Sequence, residues 1–395
     1  MCFGYNFVMI SCLVCGSTKI KKNGFLTKSV MFKSGKKLTK LQAYRCEKGH
    51  LFKVNGKLSS WSDSFVEYAV YIYLRCLSLN TTIDILRATY EVDILTKTNI
   101  LQFIEAVSDA IPTLDDIDRL FSPKRSGYLA FDGVWFSFGK EQVVLLVCFD
   151  PVTFDIISAS WEEEEGKLGY EKLLRNVLTK IPKKEVLGVY GDGDIGLIWT
   201  LKNYLSGVPF QLCIVHKNLR MQQTIPLKTA IKNKYISKEI KEEILTFAKH
   251  FHSVLYAKTK EESLQNLITL LKWTELHPRE KFLKAVNQLK RNFKYTLTHF
   301  DYPNMQRDNN LIECFNGCIK PRLNLMKGFK KKDNLERYLK LFLLEFRFHT
   351  LKESRFKERR TQSPLQLGEV YLPKYYNFLS FLRTTLNLSY QPSGH

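Results

Sequence analysis

Residues 127–139 read GYLAFDGVWFSFG, and the fold turns on how Asp132 is understood within them. The stretch is apolar and aromatic on both sides of the carboxylate. Two similar runs follow, EQVVLLVCFD at 141–150 and FDIISASW at 154–161, separated by short turns. Runs rich in Val, Ile, Phe and Trp at this spacing predict a meander of antiparallel strands. A carboxylate in a buried strand is costly unless it is paired or bound to a cation. Downstream, KLGYEKLLRNVLTKI (167–181) predicts a helix, EVLGVYGD (185–192) a strand, IGLIWTLKNYL (195–205) a helix and PFQLCIVH (209–216) a strand. The order βββαβαβ defines a mixed α/β domain.

A second carboxylate, Asp192, falls where a strand ends, between Gly191 and Gly193, which let the backbone turn tightly. The C-terminal ends of strands in α/β sheets are where ligands bind. Asp194 lies in the same turn and is its rival. Residues 217–308 are helical in pattern, rich in Lys and free of strand signals, so they read as a helical insertion. NNLIECFNGCIKPRL (309–323) then restarts apolar helical spacing, with Leu311, Phe315, Cys318 and Ile319 on one face, and carries Glu313. Two aspartates on neighbouring strands and a glutamate on a packed helix make a hard-oxygen site suited to two Mg²⁺ (or Mn²⁺) ions. Paired ions can activate an attacking oxygen and stabilise a leaving one in an in-line displacement. Each acid alone reads as a turn or cap residue. In this order and on these elements, they trace an RNase H-like core over 125–216 and 309–368.

Ahead of that core, residues 1–60 hold twelve Lys or Arg against one acid, Glu47. SCLVCGS supplies Cys12 and Cys15, and YRCEKGHLF supplies Cys46 and His50. A C-x2-C pair and a C-x3-H pair across a lysine-rich stretch fit a closed tetrahedral Zn²⁺ site in a zinc-ribbon-like module. Cys2 is a substitute ligand of lower standing. Residues 61–112 predict three helices, with Ser62 or Asp63 and Thr96 as N-caps. Their last two fit a helix-turn-helix, which would present Lys97, Asn99 and Gln102 to a DNA groove; any small helical bundle gives the same pattern. LDDIDRLFSPKRSG (114–127) reads as a linker and 369–395 as a C-terminal tail.

Sixty Lys and Arg against thirty-nine Asp and Glu leave a net charge of +21 over 395 residues, which points to a polyanionic partner such as DNA. No run of about 18 uncharged apolar residues predicts a membrane span. The opening MCFGYNFVMISC lacks the basic region and cleavage site of a signal peptide, and Met9 is an alternative start. Nine cysteines without evenly spaced pairs favour a reducing compartment.

The stretches FDGVWF, YGDGDIGL, QLCIVHKN and NNLIECFNGCIK together resemble a prokaryotic insertion-sequence transposase of the DDE type, in the group related to Mutator-like elements. The resemblance spans residues 12–368. It implies that Asp132, Asp192 and Glu313 bind two divalent ions for Mg²⁺-dependent cleavage at transposon ends and strand transfer into target DNA. It implies that Cys213 and His216 form a structural or end-positioning signature, and that Asn310 and Asn316 share the glutamate's side of the helix. Lys320 and Arg322 then become phosphate contacts. DNA with terminal inverted repeats, a homodimer or higher assembly, and a cytoplasmic, nucleoid-associated location follow from the same resemblance. The residue after Glu313 departs from it, being Cys314 where many relatives carry Arg or another polar residue. Two other readings stay open: a non-catalytic zinc-ribbon/helix-turn-helix regulator, and an RNase H-like nuclease without strand transfer.

Of the remaining features, Lys330–Lys332, Arg355, Lys357, Arg359 and Arg360 read either as a DNA-backbone surface or as a solvated face. Trp273 reads as core, with base stacking as the alternative. EEEEG (162–166) reads as a solvated turn; Cys76, Cys148, Cys314 and Cys318 read as packing residues.

Overall fold

The computed structural model describes residues 11–390 apart from 13, 54–60, 76–77, 309, 326–329, 353 and 355, and leaves out the side chains of 26, 41, 52–53, 310–311, 313 and 325. Cys2, Cys76 and Arg355, and the side chains of Asn310 and Glu313, therefore lie outside the described residues. In chain order the elements begin β1 (Ile20–Phe32), β2 (Gly35–Cys46), β3 (Leu51–Lys53), α1 (Asp63–Tyr73), α2 (Leu79–Tyr90), α3 (Lys97–Ala110) and α4 (Leu114–Phe121). They continue with β4 (Tyr128–Phe138), β5 (Glu141–Asp150), β6 (Asp155–Glu162), α5 (Lys167–Lys180), β7 (Gly188–Gly191), α6 (Ile195–Tyr204) and β8 (Phe210–Leu212). Next come α7 (Ile214–Thr224), α8 (Leu227–Lys232), α9 (Lys238–Leu255), α10 (Lys260–Leu276), α11 (Glu280–Lys290) and α12 (Thr298–Asp301). The last are α13 (Asn310–Leu325), α14 (Lys332–Phe348), α15 (Pro364–Leu367) and α16 (Phe378–Leu386).

The chain divides into two units: residues 1–113, 331–345 and 373–395 form the first, and 114–330 with 346–372 the second. In the first, β1 and β2 pair as a long antiparallel hairpin whose register shifts between Lys22 and Phe25, and β3 adds to β2. Ser62 caps α1 and Ser78 caps α2, each accepting a backbone N–H in the following turn. Thr96 and Asn99 form a reciprocal capping box at the start of α3. The three helices close over Phe65, with Trp61 stacked on it at 5.0 Å and Phe103 edge-on at 6.3 Å. Ion pairs Arg337–Glu105 (2.6 Å) and Arg383–Glu67 (2.8 Å) attach α14 and α16 to this bundle.

The second unit is built on a five-stranded sheet in the order β6-β5-β4-β7-β8. The strands β4, β5 and β6 form the expected antiparallel meander, and β7 and β8 continue beside β4 in parallel. From Val143 to Asp150, β5 is buried on both faces, as a sheet covered on each side requires. On one face Phe131, Leu146 and Cys148 pack against Tyr170 and Leu173 of α5 and Leu197 and Leu201 of α6. On the other, Phe149 meets Phe315 of α13 at 4.8 Å, and Phe315 meets Phe346 at 5.0 Å. Edge-on aromatic pairs of this kind add about 0.5–1.5 kcal/mol each beyond burial, so α13 is pinned to the sheet.

Three local expectations are corrected. The 114–127 stretch is not all linker: α4 forms because Asp115 and Asp116 sit in its first turn and Arg119 in its last, matching the helix dipole. The strand expected over 209–216 stops at Leu212, and Ile214 already begins α7. Cys314 and Cys318 are exposed rather than packed, because Ile312, Phe315 and Ile319 form the buried stripe of α13. Among the described residues, no helix is long and apolar enough to cross a membrane.

Candidate functional site

The parallel register of β4 and β7 pairs Leu129 with Val189 and Ala130 with Tyr190. Continued by two residues, it sets Asp132 beside Asp192, on neighbouring strands about 5 Å apart. Asp132 is 6% exposed and belongs to the sheet face that α13 covers. Its Oδ1 accepts the Gly133 N–H at 2.9 Å, and its Oδ2 accepts the side-chain amide of Asn316 at 2.8 Å. Position 313 lies one turn before Asn316 on the same helix.

Asp192 and Asp194 are used differently. Asp194 caps α6, its Oδ1 accepting from the N–H groups of Gly196 (2.6 Å) and Leu197 (3.2 Å). Asp192 Oδ1 accepts the Asp194 N–H at 2.8 Å, while its Oδ2 faces the guanidinium of Arg220 at 3.1 Å. Arg220, on α7, was not singled out in the sequence. Its signal was its place four residues after His216, one helical turn along.

The stretch 211–218 holds the helical insertion. Gln211 is fully buried; its amide donates to the carbonyls of Thr296 and Arg307 (both 3.2 Å), and its oxygen accepts the His299 N–H at 2.8 Å. Cys213 is buried at the N-cap of α7, and His216 lies in its first turn. Lys217 reaches the end of α11, donating to the carbonyls of Gln288 (2.7 Å) and Arg291 (2.6 Å). Burial, with Arg220 and Arg291 nearby, lowers Lys217 to about 8. Between that value and the ordinary lysine range near 10.4 the unfolded chain binds the extra proton, so stability rises with pH through this window. Urea unfolding at pH 7.5 and 9.5 is expected to show that gain, and Lys217→Met to reduce it. Trp273 is part of the insertion's core, stacked on His277 at 4.2 Å and tilted against Phe282 at 5.6 Å.

Glu165 departs from the solvated-turn reading of EEEEG. Glu163 and Glu164 are exposed, whereas Glu165 is half-buried. The Trp135 indole N–H donates to its Oε2 at 3.0 Å, and the buried Tyr170 hydroxyl donates to its Oε1. Burial raises its pKa; the Tyr170 and Trp135 donors oppose that rise, and the charges of Asp192 and Asp194 add to it. Its own sequence run gave no sign of this, because the partners are thirty residues upstream and five downstream.

In the first unit, Cys12, Cys15, Cys46 and His50 bring their ligand atoms within 4.8 Å of one another, the one such metal-binding group among the described residues. Cys15 and Cys46 sulfurs lie 3.8 Å apart, and the Cys46 sulfur lies 3.4 Å from His50 Nδ1. Tetrahedral bonds of the usual zinc lengths give edges of about 3.5–3.8 Å. Burial raises the Cys12 thiol, but the N–H groups of Val14 and Cys15 and the thiols of Cys15 and Cys46 outweigh it and bring it to about 6. Lys97 is exposed at the start of α3, with Gln102 half-buried. Asn99 spends its Oδ1 on the Thr96 N–H and hydroxyl. Lys320 is exposed on α13 and Arg322 half-buried.

The sequence model described as "Transposase, Mutator family" matches residues 21–350. The chain belongs to the Mutator family of transposases. No curated protein matches it significantly. Among solved structures, a cryo-EM structure of the simian T-cell lymphotropic virus intasome in complex with PP2A regulatory subunit B56 gamma aligns at 10% identity over 48% of this chain and 69% of that chain, with a TM-score of 0.20. A likeness that low carries no argument about fold or function.

Proposed function

We propose that the protein cleaves DNA at transposon ends and joins those ends to target DNA, using an RNase H-like sheet with Asp132, Asp192 and Glu313 as the acids. The observation that carries this reading is the register that sets Asp132 beside Asp192, together with the Asn316 amide that ties α13 to the first of them. Carboxylate oxygens of this kind fit Mg²⁺ or Mn²⁺, which favour hard oxygen donors. When bound, two such ions polarise the scissile phosphate and lower the pKa of the attacking hydroxyl. Asp132 and Asp192 would hold them, with Asn316 fixing one carboxylate's orientation. The cap formed by Asp194 supports Asp192 as the ligand of the pair. Arg220, Lys320 and Arg322 would meet DNA phosphates.

The Cys3His group fits a structural Zn²⁺ in donor chemistry and spacing. The N-terminal unit would recognise the terminal inverted repeats, with Lys97 and Gln102 at the exposed start of α3. Two chains are required to bring two ends together.

A cleavage and strand-transfer assay on DNA carrying the element's ends, with Mg²⁺, tests the reading. Glu313→Gln and Asp192→Asn are each expected to lower both steps by about 10³ or more, roughly 4 kcal/mol of barrier. Strand transfer retained by Glu313→Gln would remove the third acid from the assignment. Cleavage without joining would favour a nuclease.

A further inference from the structure

We infer that Glu165 is a fourth acid of this site, facing the divalent cations from the α5 side, and that Gly133, Trp135 and Gly196 serve to place it. The inference rests on the cation-dependent reading of Asp132 and Asp192 above. The FDGVWF stretch supplies the first support. Only Asp132 of that stretch is used by the proposed chemistry, yet the next residues are built around Glu165. A Cβ on Gly133 would lie 3.0 Å from Glu165 Oε1 and 3.1 Å from its carboxyl carbon. The carboxylate thus rests against the β4 backbone one residue beyond Asp132. Two residues further, Trp135 donates its indole N–H to the same carboxylate.

The GDGDIG stretch supplies the second support. A Cβ on Gly196 would lie 2.6 Å from the carbonyl carbon of Gly166 and 2.7 Å from the Lys167 nitrogen. Only glycine allows α6 to approach the turn carrying Glu165 so closely, and Asp194 at the cap of α6 holds that end of the helix in place. Both aspartate-bearing stretches therefore spend a glycine on one glutamate. Tyr170, fully buried in the sheet–helix core, fixes its other oxygen.

Both oxygens of Glu165 are held by neutral donors, so each keeps lone-pair capacity for a further partner. Among the described residues, Glu165 does not close with the two aspartates into a tight three-ligand group. Its place is therefore the water shell of the cations, and outer groups of that kind typically set 10–100-fold of metal affinity.

The test uses the full-length, zinc-loaded protein and Mn²⁺ binding measured by calorimetry, with thermal melting to verify folding. Glu165→Gln is expected to weaken Mn²⁺ binding about 10–100-fold. Trp135→Phe, at a half-exposed position that does not threaten the core, is expected to weaken it less. Gly133→Ala is expected to weaken it by displacing the carboxylate, and Glu164→Gln to leave it unchanged. Wild-type binding in both Glu165→Gln and Trp135→Phe, with loss in Asp192→Asn, would overturn the role of Glu165 and leave the proposed function standing. Wild-type binding in Asp132→Asn and Asp192→Asn would overturn the two-aspartate site itself, and with it this inference.

Discussion

Stripping zinc from Cys12, Cys15, Cys46 and His50 is expected to unfold residues 11–53 while α1, α2 and α3 stay folded. The β1–β3 sheet has little core of its own. Val30, Met31 and Ala43 are buried, but Phe25 and Leu38 are 67% and 77% exposed. A sheet of three strands needs a hydrophobic face or a packed helix for independent stability. A structural zinc ion contributes about 10–16 kcal/mol in small zinc domains, where binding and folding are one event. The helices, by contrast, close over buried Phe65, Val66, Phe103 and Val107. Trypsin reads the difference, because Lys21, Lys28, Lys36 and Lys40 lie along the hairpin. Chelation should convert slow cleavage there into rapid cleavage, and Zn²⁺ but not Mg²⁺ should restore protection. Cys46→Ser should behave like the chelated protein. A tryptic pattern indifferent to chelation would show that the ribbon does not depend on metal.

Replacing Arg347 with alanine is expected to destabilise the second unit by about 3–5 kcal/mol, the usual cost of removing one partner of a buried ion pair. The side chain is fully buried. Its Nε and one terminal nitrogen grip Asp155 at 2.8 Å each, and that nitrogen also donates to Asp118 at 2.6 Å. Arg125 meets the same two carboxylates at 2.7 and 2.8 Å, so the acids are shared by two guanidinium groups. Burial disfavours the Arg347 charge, yet Asp155 and Asp118 more than offset this and raise its pKa. Burial likewise pushes Asp118 up, but Arg347, Arg125 and Lys180 hold its carboxyl below the ordinary range. A carboxylate with a lowered folded pKa stabilises above its unfolded value and loses that contribution as pH falls through the folded one. Thermal melting should therefore show a drop of roughly 10 °C for Arg347→Ala near neutral pH. The loss should narrow as the medium is acidified below about pH 4. A loss under about 1 kcal/mol would show that Arg125 alone satisfies both acids.

How far these features were legible depends on where their partners lie in the chain. The β4–β6 meander was readable because apolar runs and turn residues are local signals, and so were the caps at Ser62 and Thr96. The end of β8 was not. PFQLCIVH is apolar throughout, and a short apolar run does not distinguish strand from helix. The α4 helix hid behind a polar composition that suits a linker equally well. Asp132 and Asp192 stood out as charges at points where the chain should be apolar or turning. Arg347 and Glu165 did not, since each sits among residues of similar polarity. Their environment is made by segments distant in sequence: Asp118 and Asp155 for one, Trp135 for the other. The exposed Cys318 shows the reverse error, in which a plausible apolar stripe was drawn one residue too wide.

The anchoring of the insertion by Gln211 and Lys217 has a consequence for modularity. The chain leaves the sheet after Leu212, and Arg307 returns to the same place, its carbonyl accepting from Gln211 and from the Ile214 N–H at 3.4 Å. Exit and re-entry are thus stitched together at one strand end. Loop-closure entropy grows only slowly with length, so once the stitch is made, the excursion can lengthen or shorten at little cost. The helix that follows it meets the sheet from the same starting point in either case. A transposase built this way can remodel what its insertion touches while the spacing of its acids stays fixed.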